Sequence, residues 1–167
     1  MRIISGQFKG RKLTSFSAQH LRPTTDRVKE SIFNKLSYLV SGARVLDLFA
    51  GTGSLSLEAY SRGAQELFLI EKNKKSVIII KKNLQLLGLE KNKNIHLLQQ
   101  DVFSFLNSPQ LIMNAKFDLI LIDPPFTEKI AHQVMESVGR SQLLDQGGVL
   151  VIESSAHEHI ADQYSSY

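Results

Sequence analysis

The chain has 167 residues, 43% of them apolar and 22% charged, enough for one well-buried core and too few for two ordinary domains. It has no cysteine, and its five histidines show no ligand spacing, so disulfides and a metal are not expected and a reducing cytoplasm is. The longest apolar runs, Val77–Ile80 and Leu119–Ile122, are far too short to cross a bilayer, so a membrane partner is not expected either.

The net charge of +4 is unevenly placed. Residues 1–44 hold nine Lys/Arg against Asp26 and Glu30, whereas the remaining 123 residues hold eleven basic and fourteen acidic side chains, which assigns the basic excess to the amino-terminal quarter. A concentrated basic patch on a neutral-to-acidic body suits a phosphate backbone. Residues 2–14, with Gly6 and Gly10 among basic residues, predict a small hairpin. After Arg22-Pro23, Thr24 or Thr25 can cap a helix whose inner face is Val28, Ile32, Phe33, Leu36 and Leu39, with Arg27 and Lys29 carried outward. Residues 1–40 are therefore read as a basic appendage facing a nucleic-acid backbone, with Arg2, Lys9, Arg11, Lys12, Arg22, Thr24 and Arg27 as its contacts.

From Arg44 onward, apolar runs alternate with helical patterns. Strands are predicted at 43–48, 66–71, 95–101, 117–123 and 148–153, all without polar alternation, as in strands buried on both faces of a parallel sheet. Helices are predicted at 73–87, through Val77, Ile80, Leu84 and Leu87, and at 128–138, through Ile130, Val134 and Val138. The alternation predicts an α/β, doubly wound, Rossmann-like fold over residues 41–167.

Asp47 ends the first strand, and Gly51-Thr52-Gly53 turns the chain into the next helix. A G-x-G turn alone is shared with nicotinamide and flavin sites. A dinucleotide fingerprint would put Gly or Ala at the third position, where this chain has Ser56. Asp47 suits a ligand carrying an ammonium or bound water, and carboxylates favour a cationic methyl donor, so the cofactor read here is S-adenosylmethionine. Glu71 ends the second strand, where its two oxygens can accept both ribose hydroxyls, and Asp101 ends the third, beside the apolar surface of Val102 and Phe103. Phe49 and Lys72 complete the expected cofactor set. Any one strand-end acid is more often a helix N-cap than a ligand contact; three in register with the turn favour the ligand.

The fourth strand ends in Asp123-Pro124-Pro125-Phe126. An exocyclic amine on a base is a poor nucleophile because its lone pair is delocalised into the ring. Two acceptors, the Asp123 carboxylate and the Pro124 carbonyl, can hold its hydrogens out of plane; Pro125 helps stiffen the loop, and Phe126 offers a face for a flipped base.

Asp-Pro-Pro-Phe is similar to the motif of amino-methyltransferases that act on adenine, cytosine and guanine. Arg2-Ile3-Ile4-Ser5-Gly6, Gly10-Arg11-Lys12-Leu13 and Leu21-Arg22-Pro23-Thr24-Thr25-Asp26-Arg27-Val28-Lys29-Glu30 resemble the bacterial ribosomal RNA small-subunit methyltransferase D family. The resemblance continues through Asp47–Glu58, Ser61-Arg62-Gly63-Ala64, Glu71, Asp101 and Asp123–Phe126 to Val151–Glu153. It implies methylation of a guanine N2 in 16S ribosomal RNA by a cytoplasmic monomer, with naked RNA and a small-subunit assembly intermediate both open as substrate. Adenine N6, a protein glutamine, and an inactive RNA-binding relative remain alternatives. Two departures stand out: Ser56 lies near a usually small residue, most often glycine, and the family continues past Glu153-Ser154 into two antiparallel strands, which His157, His159, Tyr164 and Tyr167 do not spell. A catalytic domain without those last two strands is the expectation.

Overall fold

The computed structural model describes residues 1–16, 25–107, 115–125 and 130–154. Arg22, Thr24, Phe126 and the expectation for the residues after Ser154 lie outside them.

Five strands form one parallel sheet: β1 (Arg44–Asp47), β2 (Glu66–Ile70), β3 (Ile95–Leu98), β4 (Phe117–Ile122) and β5 (Leu144–Ile152), in the order β3-β2-β1-β4-β5. The helices are α1 (Asp26–Lys35), α2 (Ser37–Val40), α3 (Ser54–Ser61), α4 (Lys74–Leu86), α5 (Val102–Asn107) and α6 (Ala131–Ser141). Alternation along the strands sends Val45, Leu67, Leu69, Leu119 and Leu121 to the face covered by α1 to α4, and Leu46, Phe68, Ile70, Ile120 and Ile122 to the face covered by α5 and α6. Both faces are thus buried, which is why the strands read as continuous apolar runs.

Several boundaries differ from the predicted ones. β3 ends at Leu98 rather than Asp101: one further pair of bonds joins Glu71 to Leu98 (3.1 Å) and Gln100 to Glu71 (3.2 Å), and Asp101 then caps α5. β5 starts at Leu144, four residues before the prediction; it pairs with Phe117, and a bulge containing Gly147 and Gly148 precedes the Leu119–Val149 pair. Gly148, the predicted first residue of the strand, lies in that bulge.

The hairpin is present. Ile3 N–H donates to the Arg11 carbonyl (3.0 Å), Gly10 N–H to Ile3 (2.9 Å) and Leu13 N–H to Met1 (3.1 Å), around the single bridge Arg2–Lys12. Gly6, at φ +83°, lies so close to α3 that a Cβ there would come 1.7 Å from the Ser61 carbonyl oxygen.

The inner face of α1 is a correction. Thr25 caps the helix, its hydroxyl accepting from Val28 N–H (3.3 Å), but Val28 is 42% exposed and Lys29 is fully buried. The buried stripe is Lys29, Phe33 and Leu36, continuing into Val40, one position round from the predicted one. Lys29 can occupy it because its ammonium donates to the Arg2 carbonyl (2.5 Å) and Ser54 Oγ (3.2 Å) and faces Glu58 (3.8 Å), which satisfies a charge that would otherwise stay in water.

Candidate active site

The chain runs from β1 outward to β2 and β3, then returns to β4 on the other side of β1. Between β1 and β4 the direction of winding switches, and the crevice beyond the carboxyl ends of these strands is where open α/β sheets bind ligands.

The turn after β1 is fixed from both sides. Leu48 N–H donates to Leu121 (3.0 Å) and Ala50 N–H to Ile70 (3.1 Å), which extends the sheet past Asp47. Gly51 (φ +55°) and Gly53 (φ +77°) take left-handed conformations that a side chain would strain. An added Cβ at Gly51 would meet only the Phe49 carbonyl, at 3.8 Å, so the main chain there is open to a ligand.

Glu71 holds this turn. Its Oε2 accepts from Gly51 N–H (2.8 Å) and its Oε1 from Asn73 N–H (2.7 Å). Each oxygen keeps a further lone pair, so the pinned carboxylate can still accept a pair of vicinal hydroxyls. Asp101 caps α5, its Oδ1 accepting from Phe103 N–H (3.0 Å) and Ser104 N–H (3.2 Å). Capping engages that oxygen and leaves Oδ2 to accept from a ligand amine.

Asp47 stands behind the turn, only 2% exposed. Ser56 Oγ donates to its Oδ2 (2.5 Å), while Oδ1 is buried without a hydrogen-bond partner. Burial pushes the carboxyl up to about 7; the Ser56 hydroxyl and the Phe49 N–H oppose this, and the negative charges of Asp123 and Glu71 add to it. Those two charges act on Asp47 from neighbouring loops, so the crevice gathers acids. Ser56, read from sequence as a departure from a dinucleotide pattern, is the group that steadies Asp47.

Asp123 and Pro125 are half-buried and Pro124 is buried at the end of β4, where Glu153 N–H donates to the Ile122 carbonyl (2.8 Å). Phe49 is half-buried against the α5–α6 core, Val102 is buried in that core, and Lys72 is exposed. Of the basic residues, Lys9, Arg11, Lys12 and Arg27 are exposed or partly so, and Arg2 pairs with Asp26 (3.0 Å) at the surface. No group of His, Asp and Glu among the described residues could hold a metal ion, and no helix among them is long and apolar enough to cross a membrane.

Two residues that sequence reasoning missed tie the hairpin to the site. Glu58 accepts from Ile4 N–H (2.8 Å), Ser5 N–H (3.1 Å) and Arg62 Nε (2.8 Å) beside Lys29. Buried Asn83 binds the backbone of Thr14 and of Thr52 in the turn. A polar residue within the apolar stripe of α4 was the available signal.

The family model described as conserved hypothetical protein 95 matches residues 1–167. Ribosomal RNA small subunit methyltransferase D of Haemophilus influenzae is 36% identical over 154 residues, 92% of this chain and 78% of that protein. The protein of the same name from Escherichia coli is 35% identical over 154 residues, 92% and 74% of the two chains. The solved structure of a methyltransferase from Escherichia coli superposes with a TM-score of 0.81 at 33% identity, covering 97% of this chain and 86% of that one. With a switch-point crevice, a Rossmann-like class I methyltransferase fold and these matches along nearly its whole length, the chain belongs to the conserved hypothetical protein 95 family and, by its relatives, to the ribosomal RNA small subunit methyltransferase D group.

Proposed function

We propose that the protein transfers a methyl group from S-adenosylmethionine to the exocyclic N2 amine of a guanine in small-subunit ribosomal RNA, acting as a cytoplasmic monomer. The observation that carries this reading is the placement of the Gly51–Gly53 turn, pinned by Glu71, beside Asp123-Pro124-Pro125 at the switch between β1 and β4.

The residues fit the cofactor. Glu71 would accept the ribose hydroxyls, Asp101 Oδ2 the adenine amine, and the open main chain at Gly51 would admit the methionyl part. The cofactor supplies an electrophilic methyl group on a sulfonium and leaves as a neutral thioether. Glu71 and Asp123 favour a cation there by simple Coulomb attraction. Asp123 and the Pro124 carbonyl hold the two amine hydrogens so that the nitrogen lone pair points at the methyl carbon. The methylated nitrogen would then lose one proton, to solvent. This preorganised acceptor pair, rather than a strong base, lowers the barrier. The basic hairpin positions RNA through its phosphates.

The test is methylation of unmodified small-subunit ribosomal RNA, naked and ribosomal-protein-bound, followed by mass spectrometry of its nucleosides. N2-methylguanosine that disappears with Asp123→Ala is the expected product. A methyl group on adenine overturns the substrate assignment, and no transfer to either form of RNA overturns the enzymatic one.

A further inference from the structure

The charge tally of residues 45–167 conceals a second basic surface. Residues 72–93 hold seven lysines and one acid, Glu90, and α4 itself holds Lys74, Lys75, Lys81 and Lys82 with no acid at all. At 100° per residue these four lysines share one arc of the helix, and all four are exposed. Ile78 (57% exposed) and Leu86 (50% exposed) lie on the same arc.

This face is costly to the isolated protein. Lys74 and Lys75 occupy the first turn, at the positive end of the helix dipole, where acids are favoured. None of the four lysines has an ion-pair partner among the described residues. A local rule broken without internal compensation marks a surface that an external anion completes.

We infer that the outer face of α4 is a second RNA-docking surface, on which Lys74, Lys75, Lys81 and Lys82 neutralise backbone phosphates. The inference rests on the RNA substrate proposed above. The composition favours RNA over an acidic protein: protein interfaces are depleted in lysine and anchored by Trp, Tyr and Arg, whereas lysines without aromatic neighbours serve as point charges for phosphates. Placement agrees. α4 begins three residues after Glu71 at the carboxyl edge of the sheet, and its Asn83 bonds Thr14, two residues beyond Lys12 of the basic hairpin. Ile78 and Leu86 give a nucleotide an apolar surface between the charges.

The experiment compares small-subunit ribosomal RNA binding, over a range of salt, by the full chain and by the quadruple variants K74Q/K75Q/K81Q/K82Q and K74R/K75R/K81R/K82R. The glutamine variant should bind at least about 10-fold more weakly, with the salt slope lowered by about 2–3. The arginine variant should keep both, and S-adenosylmethionine affinity by calorimetry should be unchanged in all three. An unaltered slope in the glutamine variant overturns the docking surface while leaving methylation by the parent protein intact. A loss seen only with ribosomal-protein-bound RNA, and not with naked RNA, overturns it in favour of an acidic protein partner. Failure of the parent to bind or methylate RNA overturns both readings.

Discussion

Asn83 and Thr14 bond to each other through both atoms of the asparagine amide: Oδ1 accepts from Thr14 N–H (2.7 Å) and Nδ2 donates to the Thr14 carbonyl (3.1 Å). The same Nδ2 donates to the Thr52 carbonyl (2.9 Å), so one buried side chain joins the basic segment to the cofactor turn. Asn83→Leu keeps the branching at Cγ and removes all three bonds, so it should cost about 1–3 kcal/mol of stability per stranded backbone group. RNA affinity and cofactor affinity, measured separately, should fall together. A fall in only one of them means the two regions are not coupled through Asn83.

Glu71→Ala frees the Gly51 and Asn73 N–H groups and removes the acceptors proposed for the ribose. Cofactor affinity by calorimetry should drop by about 1–3 kcal/mol, roughly 5- to 150-fold. Undiminished affinity would remove Glu71 from the site.

At Asp123 positioning and base catalysis part ways. Removing one preorganised acceptor costs about 10²–10³ in rate, so Asp123→Ala should lower turnover far more than it raises KM. Asp123→Asn keeps an oxygen to accept from the amine and should retain more activity. Single-turnover methylation at saturating cofactor and RNA decides: equal damage from both substitutions points to a general base instead.

The buried pair Lys29–Glu58 should respond asymmetrically. Burial lowers the Lys29 ammonium below its ordinary range, more than nearby Glu58 and Asp26 raise it. Lys29→Met therefore removes an unfavourably buried charge and should change stability by less than about 1 kcal/mol. Glu58→Ala leaves Arg62 and two backbone N–H groups without their acceptor and buried Lys29 without its counter-charge, and should cost about 3–5 kcal/mol. Urea unfolding of the two variants provides the comparison; similar losses would contradict this account.

Asp47 links stability to pH. Its folded value of about 7 lies above its ordinary 3.8, so the native state holds a proton that the unfolded chain has released. The resulting stabilisation is fully present below pH 4 and is lost as pH rises through 7, by up to about 1.4 kcal/mol per pH unit. Asp47→Asn keeps an acceptor for Ser56 and cannot titrate, so its stability should lack this decline relative to the parent. Parallel stability curves between pH 4 and 7 would place the titration elsewhere.

The sheet was legible because buried parallel strands announce themselves as apolar runs, and the Gly51–Gly53 turn because glycine is needed where φ is positive. The end of β4 was legible at Asp123-Pro124-Pro125, since neither proline can donate to a strand ladder. The features that stayed hidden depend on long-range partners. Nothing local distinguishes Lys29 from Arg27; only Glu58, Ser54 and the Arg2 carbonyl, brought in by the fold, make one position a core site. Asp101 similarly reads as a strand end, yet its own backbone turn makes it a helix cap.

The hairpin closes on its own backbone bonds but is held in place by Lys29, Glu58, Ser61 and Asn83. Its seating is thus written outside its own sequence. A chimera that grafts residues 1–16 onto a related catalytic domain would need the recipient to supply those four side chains and a Gly6-sized gap at Ser61. Exchanging only the exposed side chains of Gln7 and Lys9 leaves the anchors in place and changes the surface without disturbing the frame.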